Sequence, residues 1–217
     1  MLYGGDMMID FPEVTRIHRR MPKEAFYKRL QLNKTVKDKF VSDVDRIFVE
    51  NSLTMENLHL TQDSDVKEIL LLSITLKKQE FDGKVIEAIA RQNPHNLVFL
   101  LFFEDVRQLA LYHGKLYRTQ WMPDKDLKLK AKGFSLEEIW NGFIEQIALY
   151  EERVEAADGL TIDQRLQLQE KIVKLEKQIA KTEATAWKET QPKKRFDLYT
   201  RLQKYKQELE VLKRGES

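Results

Sequence analysis

The side chains in this sequence best suited to chemistry are a scatter of early carboxylates, four histidines and two runs of basic residues. The carboxylates are Asp43, Asp45, Glu50, Asp65 and Glu68. A metal-dependent nuclease sets an acid on one strand and an acid–x–lysine pair on the next, so that a bound divalent cation can activate water and steady the leaving oxygen. The run Ser73-Ile74-Thr75-Leu76-Lys77-Lys78 offers the lysine but carries threonine at position 75, where the acid is required. Asp65 and Glu68 lie upstream, at the wrong end of that run. Acids near turns are ordinarily solvated, so no catalytic residue, metal ligand or cofactor is assigned. A divergent metal-dependent DNA nuclease using Asp43, Asp45, Asp65 and Glu68 stands as the alternative.

The histidines, His18, His59, His95 and His113, form neither an HExxH nor a paired metal-binding spacing. His18 sits among arginines, a setting that suits phosphate, and His113 precedes glycine in a turn. No glycine-rich phosphate loop and no Gly-x-Ser-x-Gly elbow is present.

The basic residues carry more information. Residues 14–39 hold nine Lys/Arg against two acids, a net +7, and residues 160–217 hold fourteen against nine, a net +5. The remainder carries −10, although the whole chain is only +2. Such asymmetry favours an anionic partner such as nucleic acid for the basic segments; mutual neutralisation in the fold is the competing explanation. Arg16, Arg19, Arg20, Lys23, Lys28 and Arg29 could follow a phosphate backbone, with Tyr27 stacking or hydrogen bonding. Lys188, Lys193, Lys194 and Arg195 form the second candidate surface.

These groups must be placed by a chain of 217 residues, 42% hydrophobic and one third charged, which is the composition of a folded protein. There are no cysteines. That excludes disulfides, thiolate metal sites and a cysteine nucleophile, and it fits the expectation of a cytoplasmic protein. No apolar run reaches membrane-spanning length, so no membrane partner is expected. The first ten residues show no secretory pattern.

The pattern predicts an α+β fold: a mostly antiparallel sheet of about five to six strands with packed helices, followed by a C-terminal antiparallel coiled-coil hairpin. The expected divisions are residues 1–43, a basic N-terminal helical segment packed on the body, 44–157, the α+β body, and 160–214, the hairpin. Pro22 suits a helix start, and a short helix is expected over 35–41 with Thr35 as its cap. A strand from Val44 is expected to end at Asn51-Ser52 and to return over 55–60. Residues 68–77 are apolar on both faces and belong in the middle of a sheet. A helix over 84–92, a strand over 97–103, and a hairpin turning at His113-Gly114 follow. Ser135 with Glu138 forms a capping box for a helix to about residue 152.

The last segment changes period. Leu168, Ile172, Leu175, Ile179, Thr182 and Ala186 make one heptad seam, and Leu198, Leu202, Tyr205, Leu209 and Leu212 another. Pro192 between them breaks the helix, with Ala157-Asp158-Gly159 as the hinge before it. An antiparallel hairpin with Lys188, Lys193, Lys194 and Arg195 at its tip is the simplest solution. One long helix pairing with a second copy is the alternative, which leaves homo-oligomerisation through the coiled coil open.

Several stretches, Phe11-Pro12-Glu13 with Thr15, Pro22-Lys23-Glu24-Ala25 with Tyr27, Asp43 with Arg46-Ile47, Tyr112-His113-Gly114-Lys115-Leu116, Thr119-Gln120-Trp121 and Gln191-Pro192-Lys193-Lys194-Arg195-Phe196, resemble a bacterial family of unknown function. Its members are often encoded beside DNA methyltransferases, helicases and restriction-type proteins. The resemblance spans about residues 11–212 and implies a role in restriction–modification or antiphage defence. It transfers no active site. The expectation is a non-catalytic accessory component that binds DNA, a helicase or a DNA methyltransferase. A nuclease and an oligomerising structural adaptor are the alternatives.

Overall fold

The densest apolar stretch of the sequence becomes the middle of the sheet. In a computed structural model describing residues 8–24, 30–150 and 159–214, β4 (Glu68–Leu76) lies between β3 (Val44–Thr54) and β5 (Asn96–Phe103). Successive residues of a strand face opposite sides. Leu72, Ile74 and Leu76 therefore join a core with Ile47, Phe99 and Leu101, while Ile69, Leu71, Val98 and Leu100 are buried on the other side. Each such side chain stabilises the fold by roughly 1.5–3 kcal/mol when withdrawn from water.

β2 (Arg16–Met21), β6 (Val106–His113) and β7 (Lys115–Arg118) complete the order β2-β3-β4-β5-β6-β7, and β8 (Met122–Pro123) pairs with β6 as the seventh strand. Every pairing in this sheet is antiparallel except β4–β5. The crossover between those two holds α2 (Lys84–Arg91), whose Val85, Ile86 and Ile89 face the first core together with Phe40 of α1 (Lys34–Asp43). The other face meets α3 (Leu136–Ala148), which lies against β4, β6 and β7 and buries Ile139, Phe143 and Ile147. β1 (Met8–Asp10) and β9 (Lys128–Lys130) form a separate parallel pair.

The structure departs from the sequence reading locally. Residues 16–21 are a strand rather than part of a helical segment, because the outer edge of β3 offers unpaired backbone groups and β2 satisfies them. β3 runs on to Thr54, and residues 55–60 are turns rather than a returning strand. Asn57 causes this: its side chain accepts from the Thr54 amide at 2.9 Å and donates to the Ser52 carbonyl at 2.7 Å. The cap of α1 is Asn33 rather than Thr35, its Oδ1 accepting from the Val36 amide at 2.9 Å.

Ser135 caps α3 as expected, accepting from the Glu138 amide, while the Glu138 carboxylate reaches the Phe134 amide instead of completing a box. α3 ends at Ala148. The β6–β7 turn is where it was expected, and Gly114 takes the φ of +69° that such a turn demands.

The chain divides into two compact units, Met1–Tyr150 and Glu151–Ser217. In the second, α4 (Ile162–Lys188) starts at a full capping box of Thr161 with Gln164, and α5 (Pro192–Lys213) starts on its proline. Of the expected hinge, Gly159 has φ +84°; Ala157 and Asp158 lie outside the described residues. The two helices pack on each other through Leu175, Ile179 and Leu202, with Tyr205, Leu209 and Leu212 alongside. Glu183 meets Lys206 at 2.7 Å and Glu176 meets Lys213 at 3.4 Å. The pairs lie one heptad apart on each helix and run in opposite directions, so the hairpin closes within one chain.

Candidate nucleic-acid interface

The expected N-terminal cluster is spread over β2 and beyond it. Arg19 pairs in register with Val49 and Met21 with Ile47, whereas Arg20 pairs with Phe48. Neighbours on a strand face opposite ways, so Arg19 and Arg20 serve different faces of the sheet. Arg19 lines a groove of about 400 Å³ with Val49, Glu68, Leu70 and His95. Arg20 lines another of about 500 Å³ with Lys23, Asp45 and Arg46. Arg16 is held by Glu13 at 3.2 Å. Lys23 donates from Nζ to the Val44 carbonyl, and its pKa is lowered, first by burial and then by the neighbouring Lys77. Tyr27, Lys28 and Arg29 lie outside the described residues. A basic edge strand also has a structural use, since charge along an exposed edge opposes pairing with another sheet.

The histidine placed among these arginines is exposed, but its Nδ1 and one ring face are already engaged within the sheet. His18 adopts φ +45°, stacks on Phe48 with 5.2 Å between centroids, and bonds from Nδ1 to Glu50 Oε2 at 2.7 Å. Glu50 is buried and accepts from the Ser73 hydroxyl through its other oxygen. The same pattern recurs at the far end of β4, where Glu68 accepts from the Ser52 hydroxyl and meets His95 Nδ1 at 3.2 Å. In each case the carboxylate lies between serine and imidazole, so the histidine cannot take the serine proton directly. These sets were not legible in the sequence, since their members are 16 to 32 residues apart where the bonds are given.

The acids proposed for a metal are separated by the length of a strand. Asp43 precedes Val44, which pairs with Leu76, while Glu68 pairs with Thr54. Eight residues of strand put the two roughly 26 Å apart. Asp43 is fully buried and serves the loop after β4: Oδ1 accepts from Lys78 at 2.7 Å and from the Ser42 hydroxyl at 2.5 Å, and Oδ2 accepts from the Asp82 amide at 3.0 Å. Asp45 pairs with Arg46 at 3.0 Å, and Asp65 lies three residues before Glu68. Among the described residues no three His, Asp or Glu side chains gather as a metal site, and no helix is long and apolar enough to cross a membrane.

The hairpin tip is different. Lys188 ends α4, residues 189–191 are non-helical with Glu189 and Gln191 extended, and Lys193, Lys194 and Arg195 fill the first turn of α5. All four cations are exposed, and none makes an ion pair with a described residue. The acid next to Lys188, Glu189, is turned to the Gln191 amide at 2.9 Å. Sequence reasoning missed the aromatic side chains here: Trp187, Phe196 and Tyr199 are 83%, 71% and 45% exposed. The signal was available, because none of the three falls on a heptad seam.

No curated protein matches the chain. No solved structure matches it either. Residues 9–209 match the family model described as a domain of unknown function (DUF4391). The match begins in β1 and ends in the last turns of α5, so it takes in both the sheet and the hairpin whose tip carries the exposed cations. The chain belongs to the DUF4391 family.

Proposed function

We propose that this protein is a non-catalytic accessory component of a DNA restriction–modification or antiphage defence system, binding DNA, a helicase or DNA methyltransferase partner of the same system, or both. The observation that carries the reading is the hairpin tip. Four exposed cations there have no ion-pair partner among the described residues, and unpaired cations are what phosphate backbones displace counterions to reach. The sequence resemblance supports the defence context. The dispersal of Asp43, Asp45, Asp65 and Glu68 supports a binding role over hydrolysis at those residues.

The test is protection. Cells carrying the complete system are compared with cells lacking this gene and with cells carrying Lys188, Lys193, Lys194 and Arg195 all changed to Gln. Phage plating efficiency should rise by an order of magnitude or more in both altered strains. Unchanged protection without the gene would refute the proposal.

A further inference from the structure

We infer that the hairpin tip is a stacking platform for the unpaired bases of single-stranded nucleic acid, a refinement that rests on the nucleic-acid reading above. Five aromatic side chains among the described residues are strongly exposed, and three of them, Trp187, Phe196 and Tyr199, fall within thirteen residues at the tip. An aromatic ring can bury 150–250 Å², so leaving three in water forgoes considerable stabilisation. The packing does not force it. Ala186 beside Trp187 is 1% exposed and Leu202, one turn beyond Leu198, is 3% exposed; the seam is filled without the aromatics.

The cations lie in sequence between Trp187 and the other two rings. Lys193 stands three residues before Phe196 and Arg195 four before Tyr199, the spacings that put side chains on one side of a helix. Lys188 follows Trp187 directly. Exposed rings and cations gathered at one tip match a strand whose bases stack and whose phosphates lie alongside. Duplex DNA keeps its base faces occupied and would use only the charges. A protein partner would favour rings with few lysines, since lysine is depleted at protein interfaces, yet three of the four cations here are lysine.

Trp187 supplies its own probe, because Trp140 is buried and Trp121 half-buried. The full-length protein is titrated with oligo-dT and oligo-U of about ten nucleotides, within the usual site size, and with a blunt duplex of equal length. Oligonucleotide should quench the exposed tryptophan. Trp187→Leu keeps an apolar surface without a stacking face and should weaken single-strand binding by about 5- to 150-fold. Trp187→Phe should stay within about threefold of wild type, and duplex binding should be unaltered by either. Response to one sugar alone names the natural strand and still supports the platform.

Equal single-strand affinity of Trp187→Leu and wild type would overturn the platform, and Phe196→Leu with Tyr199→Leu repeats the test at the other two rings. Duplex binding without single-strand binding would overturn the platform and leave the broader DNA-binding proposal standing. Failure of every nucleic acid would remove both.

Discussion

Changing Lys188, Lys193, Lys194 and Arg195 to glutamine is expected to flatten the dependence of log K on log salt by about 3 for single-stranded DNA. Each phosphate contact on a single strand contributes roughly −0.7 to that slope through counterion release, and the four cations are exposed without an ion-pair partner among the described residues. The change leaves the hairpin seam untouched, since Leu175, Ile179 and Leu202 lie away from the tip. A second quartet separates position from total charge. Lys171, Lys174, Lys177 and Lys181 are exposed along α4, short of the tip. Neutralising them should change the slope by less than 1. Equal flattening by both quartets, measured by fluorescence anisotropy over a salt series, would show diffuse attraction rather than a contact surface.

Asp43→Ala should cost the first unit about 2–3 kcal/mol in urea unfolding at neutral pH. The carboxylate is fully buried and accepts from Lys78, Ser42 and the Asp82 amide. Removing it forfeits hydrogen bonds to a charged group and strands the amide. Its pKa is lowered in the folded protein: burial alone would raise it, and the hydrogen bonds from Lys78, Ser42 and the Asp82 amide outweigh that effect. A carboxyl that releases its proton more easily when folded stabilises the fold above its unfolded pKa, near 3.9. That contribution is lost as pH falls from there through the lower folded value. Wild type should therefore lose stability across that acid window relative to Asp43→Asn, and the two curves should converge. A gap that stays constant with pH would assign the effect to packing rather than charge.

How much of this could be read beforehand depended on how local the cause was. β4 and β5 were legible because short apolar runs rich in Ile, Val and Phe suit a buried strand, and α2 because Val85, Ile86 and Ile89 fall on one face. The β6–β7 turn announced itself through His113-Gly114. β2 was hidden, since Arg16-Ile17-His18-Arg19-Arg20 has no clear period and becomes a strand only because β3 lies beside it. Residues 55–60 misled because one amide side chain, that of Asn57, turns the chain.

The candidate interface followed the same division. The tip cations are contiguous across one turn and were visible at once. The exposure of Trp187, Phe196 and Tyr199 required laying the heptad seam over the sequence and asking what fell off it. The fates of Glu50 and Glu68, each held between a serine and a histidine, depend on strand register and could not be read from spacing.

The most direct test of the central claim is equilibrium binding of the full-length protein to labelled single-stranded and duplex DNA at low salt, repeated as salt is raised. The account predicts measurable binding that weakens steeply and linearly on logarithmic axes, as charge-driven contact with phosphate requires. No binding of either form at low salt, alone or with a proposed helicase or methyltransferase partner present, would contradict it.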